Sequence, residues 1–108
     1  MDNELNKLFN KKEIGWNKID DNEKNAIFSF CDGYMKFLNT SKTEREAVCT
    51  ARKIAEENGF RDIATFDSLK PGDKVFFVNR EKSMYLAVIG TEKLENGIQI
   101  VGAHIDSP

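Results

Sequence analysis

The chain has 108 residues, of which 40% are hydrophobic and 31% charged, and 16 basic against 18 acidic residues give a net charge of −2. This length predicts one small domain or part of a larger one. The charge balance argues against a nucleic-acid partner, which needs a basic face to meet phosphate. No apolar run approaches a membrane span, and the acidic, polar start differs from a secretory signal. We therefore expect a cytoplasmic protein with neither a nucleic-acid nor a membrane partner.

Residues 1–21 form a mixed, polar stretch that we predict to be an N-terminal arm. Its apolar residues Leu5, Leu8 and Phe9 fit one face of a short helix. The only tryptophan, Trp16, has two interpretations: an anchor into a partner subunit or the domain surface, or a cover over the local core. The second interpretation is the simpler one.

Two helices are predicted next. Asp20 and the two residues after it supply caps for the first helix, and its apolar positions recur at helical spacing. Those positions are Ile27, Phe30, Cys31, Tyr34, Met35 and Leu38. The second helix has two possible capping boxes, Ser41 with Glu44 and Thr43 with Glu46, and Gly59 marks its end. Its predicted buried face is Ala47, Val48, Ala51, Ile54 and Ala55.

From Phe60 onward the pattern is typical of β-structure. We predict strands over residues 74–79 and 84–89, joined as a hairpin, and a third strand over residues 98–103. The hairpin strands are continuously apolar, which is typical of strands buried on both faces. Two helices cannot cover both faces of such a sheet. The predicted fold class is therefore α/β, with residues 22–108 forming part of a larger α/β sandwich.

His104, the only histidine, follows the predicted third strand, and Asp106 lies two residues later. On an extended backbone both side chains point the same way. A carboxylate can accept the proton of one ring nitrogen and leave the other nitrogen free to bind a metal. Catalytic zinc needs about three protein ligands, and no further set converges on His104 in this sequence. On these residues alone, a surface histidine at a strand end remains the alternative.

No other catalytic pattern is present. Cys31 and Cys49 stand alone, without metal-ligand spacing, which indicates two reduced thiols. Ser107 is too near His104 for a standard triad, and there is no glycine-rich phosphate loop.

The ending V-G-A-H-I-D-S-P resembles the first metal-site motif of the aspartyl aminopeptidase/aminopeptidase I family of zinc metallopeptidases. Residues 34–39 and 41–48 resemble that family's N-terminal helix pair, and residues 57–60 resemble the end of its second helix. The resemblance covers most of the chain from about residue 20.

This resemblance implies the N-terminal part of a three-layer αβα zinc exopeptidase. His104 would be a zinc ligand, and Asp106 would be the catalytic-site carboxylate that orients it. Ser107 and Pro108 would shape the loop at the strand end. The parent would be a cytoplasmic homo-oligomer that removes N-terminal residues from peptides with two zinc ions per active site, cobalt or manganese being possible substitutes.

The family's remaining metal ligands, its general base and its inserted oligomerisation domain have no match here, so we expect this segment alone to be inactive. Two other hypotheses remain. One is a natural short, non-catalytic protein or partner subunit that keeps this region for assembly. The other is a generic α+β interaction module, for which the motif match would be a coincidence.

Overall fold

A computed structural model describes residues 2–106 of the chain, with side chains described from Glu4 onward. Its α-helices are α1 (Asp2–Leu8), α2 (Asp21–Asn39) and α3 (Glu44–Glu57). Its strands are β1 (Arg61–Asp62), β2 (Lys74–Asn79) and β3 (Ser83–Val88). Three short 3₁₀ helices cover Gly15–Lys18, Ile63–Thr65 and Leu94–Asn96. Within the described residues, no helix is both long and apolar enough to cross a membrane.

The chain divides into two compact units, one reaching to Tyr34 and one starting at Met35. In the first unit, Trp16 packs edge-on against Phe28 of α2, with ring centroids 6.0 Å apart. The ammonium of Lys24 lies 5.9 Å from the centre of the tryptophan ring. Trp16 therefore covers local structure, which was the simpler of its two interpretations. The predicted boundary between an arm and a catalytic domain at residues 21 and 22 stays a prediction.

Both predicted helices form, and side chains fix where each begins. The carboxylate of Asp20 accepts a hydrogen bond from the backbone N–H of Glu23 at 2.8 Å, one turn into α2. At α3 the hydroxyl of Thr43 accepts from the N–H of Glu46, whose carboxylate accepts from the N–H of Thr43. Thr43 is thus the actual cap of the two alternatives.

Helix α3 ends where the sequence predicts. Asn58 is its C-terminal cap, and Gly59 has a φ of 83°, a left-handed conformation that glycine adopts without a steric penalty. Ala47, Val48 and Ala55 are buried as predicted, whereas Ile54 is 46% exposed.

The sheet has the order β1-β2-β3, with β1 parallel to β2 and β3 antiparallel to it. The predicted hairpin is present, and its register pairs Phe76 with Leu86 and Phe77 with Tyr85. Arg80 and Glu81 in the connection both have positive φ. The guanidinium of Arg45 donates to the carboxylate of Glu81 at 3.1 Å, which joins the start of α3 to the hairpin turn.

Burial is concentrated at the centre of β2. Val75 and Phe76 are 4% and 2% exposed, and because neighbouring strand residues point to opposite faces, β2 is buried on both sides there. The described residues leave β3 less covered, as the sequence predicts for a sheet whose two faces two helices cannot cover. Tyr85, Leu86 and Val88 are all at least half exposed.

The prediction of a third strand over residues 98–103 is wrong. The sheet's third strand is β1, whereas residues 98–103 have no regular secondary structure. A strand forms only when a neighbour satisfies its backbone N–H and C=O groups, and among residues 2–106 no backbone partner pairs with this segment. Its apolar side chains are accordingly exposed, Val101 completely. The α/β fold class itself is confirmed.

Candidate metal centre

The candidate site lies at the end of the irregular segment that follows the Leu94–Asn96 turn. Gly97 has a φ of 107° and redirects the chain after that turn. The apolar residues from Ile98 to Val101 then lead to His104 and Asp106. Ile105 between them is partly buried, whereas His104 and Asp106 are exposed.

The structure brings His104 and Asp106 together, as their spacing predicts. The ring Nδ1 of His104 lies 2.9 Å from the backbone carbonyl oxygen of Asp106 and 3.1 Å from its carboxylate Oδ1. Both of these oxygens are acceptors, so the ring nitrogen facing them must be the donor. In a neutral imidazole the proton then sits on Nδ1, and the lone pair of Nε2 is available to a metal ion.

This pair is open to solvent. The side chains of His104 and Asp106 are 73% and 67% exposed. Water and salt screen exposed pairs, which contribute at most about 1 kcal/mol. The contact therefore orients the ring locally and adds little to the stability of the fold.

One imidazole supplies only one of the roughly three protein ligands that a catalytic zinc ion needs. Among residues 2–106, no three histidine, cysteine, aspartate or glutamate side chains are grouped so that they could hold a metal ion. Cys31 and Cys49 are free and exposed on α2 and α3. The described residues thus fit a single zinc ligand with an oriented ring.

Carboxylates elsewhere in the loops accept local hydrogen bonds. Asp62 accepts from the N–H of Ala64 at 2.9 Å, and Asp73 accepts from the N–H of Lys70 at 2.8 Å. Glu92 accepts from the side-chain amide of Asn96 at 3.0 Å. Each carboxylate therefore has a local structural role in place of one at His104.

An open apolar groove of about 440 Å³ lies in the second unit and was not predicted from the sequence. It is lined mainly by Phe37, Ala51, Ile54, Ala55, Phe60, Leu86 and Val88, with Asn58 and Lys74 as its polar residues. The ammonium of Lys74 is engaged, since it donates to the carbonyl oxygen of Asn58 at 3.1 Å. Its lining contains neither a carboxylate nor an imidazole that could bind a metal ion.

Comparison with known proteins connects the His-Asp pair to a family. The model of the aminopeptidase I zinc metalloprotease family (M18) matches residues 37–108. A probable M18 family aminopeptidase 1 from Borrelia garinii subsp. bavariensis is 43% identical over 98 residues, which are 91% of this chain and 21% of that protein. A protein of the same name from Clostridium acetobutylicum is 41% identical over 107 residues, 95% of this chain and 23% of that protein.

The backbone agrees with the sequence. The crystal structure of aminopeptidase I from Borrelia burgdorferi matches with a TM-score of 0.84 and 38% identity, over 89% of this chain and 24% of that one. The chain spans about a fifth of the length of the curated relatives that it matches. The resemblance carried by residues 34–60 and by the His-Ile-Asp-Ser-Pro ending is confirmed, although Ser107 and Pro108 lie outside the described residues. This chain belongs to the M18 family of aminopeptidase I zinc metalloproteases.

Proposed function

We propose that this chain is the N-terminal part of a two-zinc aminopeptidase that hydrolyses N-terminal residues from peptides. The observation that carries the proposal is the His104–Asp106 contact, in which an aminopeptidase-family chain presents an imidazole with Nε2 free. Family membership supports the zinc and the peptidase class.

In this proposal His104 holds zinc through Nε2, and Asp106 holds the ring by accepting a hydrogen bond from Nδ1–H, with its carbonyl oxygen 2.9 Å and its carboxylate oxygen 3.1 Å from Nδ1. Accepting this hydrogen bond fixes the ring orientation and makes the opposite nitrogen a better ligand. When bound, a zinc pair activates a water molecule and polarises the scissile carbonyl. The 108 residues supply one of the roughly three protein ligands that each catalytic zinc requires, so we expect no hydrolysis by this chain alone.

The partners and location follow from the same proposal. Peptides are the substrates, and the parent assembles as a homo-oligomer. Two unpaired, exposed cysteines support a reducing, cytoplasmic location.

The test is His104→Ala in the longer protein that carries this sequence. We expect peptide hydrolysis to fall at least about a hundredfold, and zinc content to fall with it, because removing a ligand opens the site. The unfolding midpoint should stay within a few degrees, since the His104 side chain is 73% exposed. Asp67→Ala is the matched control, because Asp67 is an exposed carboxylate in a turn. Both variants are assayed with peptides that begin with acidic and with neutral residues.

Full activity in His104→Ala would refute the ligand assignment. The mass of the native product tests the parent itself. A species several times heavier than 12.3 kDa supports the proposal, whereas a native product of 12.3 kDa supports a short, non-catalytic subunit.

A further inference from the structure

Two Asn-Gly pairs occur in this chain in the same local sequence. Both follow a glutamate and precede a large apolar residue, as E-N-G-F at residues 57–60 and E-N-G-I at residues 95–98. Both asparagines are exposed to solvent. We infer that Asn96 is a site of spontaneous deamidation, whereas the fold protects Asn58 from the same reaction. The inference does not depend on the proposed function.

The reaction requires the asparagine side chain and the next backbone nitrogen to meet. A base removes the proton from the glycine backbone nitrogen, which then attacks the side-chain carbonyl carbon of the asparagine. A new C–N bond forms, the bond to the side-chain nitrogen breaks, and ammonia leaves with a proton taken from solvent. Water then opens the resulting succinimide ring to aspartate or isoaspartate. Glycine has no Cβ to obstruct the attack, and it permits the backbone rotation that the ring needs.

Asn58 is held away from this geometry by several hydrogen bonds at the end of α3. Its side-chain amide donates to the carbonyl oxygen of Ile54 at 2.8 Å, and its own carbonyl oxygen accepts from the ammonium of Lys74 at 3.1 Å. The N–H of Phe60 donates to the carbonyl oxygen of Ala55, a buried residue of α3, at 2.9 Å. The side chain and the following peptide group cannot rotate into the ring while these bonds are in place.

Asn96 is held by a much smaller element. It is the last residue of a three-residue 3₁₀ helix that contains no buried residue and has no side-chain hydrogen bond capping its start. The N–H of Gly97 donates to the carbonyl oxygen of Leu94 at 3.0 Å. The side-chain amide of Asn96 donates to the carboxylate of Glu92 at 3.0 Å, but Glu92 is exposed and ordering its side chain costs conformational entropy.

The surroundings of this turn add little to its stability. Leu94 and Ile98 are 82% and 63% exposed, and residues 98–103 have no regular secondary structure. Segments with few buried contacts open locally at a low free-energy cost, whereas the ends of packed helices open less often. Asn96 therefore reaches the geometry for attack more often than Asn58.

Deamidation at Asn96 would change the connection that leads to residues 98–103. A carboxylate would replace the amide that donates to Glu92, so a hydrogen bond would be lost and two negative charges would face each other. Isoaspartate would also add a carbon to the main chain directly before Gly97, whose φ of 107° redirects the chain. Both products should loosen the turn.

Peptide mapping tests the inference on the folded 108-residue chain. The chain is incubated in mildly alkaline buffer, which favours loss of the glycine amide proton, and is sampled over time. Cleavage after lysine and arginine places the two Asn-Gly pairs in separate peptides, residues 54–61 and 94–108. Mass spectrometry follows the conversion of amide to acid in each peptide. Each native rate is divided by the rate of the same pair in concentrated urea, so that effects of local sequence cancel.

We expect the fold to slow deamidation at Asn58 at least about tenfold more than at Asn96. A tenfold ratio corresponds to about 1.4 kcal/mol, which is about the net contribution of one or two hydrogen bonds. Asn96→Gln lengthens the side chain so that the five-membered ring cannot form, and it should abolish the faster reaction. The matched control Asn58→Gln should leave that reaction unchanged.

Two results would overturn the inference. One is equal slowing of the two pairs by the fold, or stronger slowing at Asn96. The other is a fast conversion of amide to acid that persists in Asn96→Gln.

Discussion

Replacing Phe76 tests the packing of the second unit most directly. Phe76 lies on β2, paired with Asp62 on one side and Leu86 on the other, and it is 2% exposed. The guanidinium of Arg52 lies 5.4 Å from its ring. Arg52 also donates a hydrogen bond to the carboxylate of Glu56, which raises the pKa of the guanidinium, and the group is charged at any ordinary pH. Phe76→Ala should cost about 3 to 4 kcal/mol of unfolding free energy, the usual range for a buried phenylalanine.

Phe77 is the matched control because it is the next residue on the same strand and is 49% exposed. Half-burial of a phenylalanine is worth about 1 kcal/mol. The ring of Tyr85, with its centroid 6.1 Å away, adds about 0.5 kcal/mol. Phe77→Ala should therefore cost about 1.5 kcal/mol, and the two alanine variants should differ by about 2 kcal/mol.

Urea unfolding followed by far-ultraviolet circular dichroism measures this difference. With a denaturant slope of about 1 to 2 kcal/mol per molar, the two midpoints should lie about 1 to 2 M apart. Phe76→Leu, expected to lose about 1 kcal/mol, keeps the series measurable where the alanine variant is too unstable. Equal midpoints for the two alanine variants would refute the reasoning, since the sheet would then not bury Phe76 in preference to Phe77.

The cap of α3 and two glycines give further predictions. Thr43→Ala should cost about 1 kcal/mol by removing the capping oxygen. Ser41→Ala should be neutral or slightly stabilising, because the Ser41 hydroxyl is buried without a hydrogen-bond partner in the described structure. If both variants lowered the urea midpoint equally, the assignment of Thr43 as the cap would be contradicted. Gly59→Ala should lose about 1 to 2 kcal/mol from its left-handed backbone. Gly33→Ala should gain about 1 kcal/mol, since a Cβ there meets nothing within 4 Å, and thermal melts with the opposite ranking would contradict both glycine predictions.

Features fixed by neighbouring residues were predictable from the sequence. The Thr43 capping box, the stop at Gly59 and the β2–β3 hairpin each depend on residues only a few positions apart. The strand β1 was missed because it has two residues, too few to show a period-two pattern. Choosing between Ser41 and Thr43 as the cap also required the structure, because both satisfy the same sequence pattern.

The prediction of a strand over residues 98–103 was wrong for a different reason. Residues 98–103 have the composition of a strand, but composition cannot supply the neighbouring strand that accepts and donates the backbone hydrogen bonds. The His104–Asp106 contact was predictable because two residues of one short segment make it. Further metal ligands could not be predicted in this way, because they would have to come from distant positions that only tertiary structure brings together.

The lack of regular structure over residues 98–103 and the lack of further ligands near His104 among the described residues are connected. Ile98, Ile100 and Val101 are 63%, 77% and 100% exposed immediately before His104. Exposed apolar surface is unfavourable by about 25 cal/mol per Å², so polypeptide that pairs with this segment gains both its hydrogen bonds and its burial. Under the proposed function, the same pairing fixes the backbone that carries His104 and brings the other ligands within reach. The His104 ring, which already contacts Asp106, then needs little further ordering when the site assembles. Metal affinity should therefore depend mainly on how firmly residues 98–103 are held.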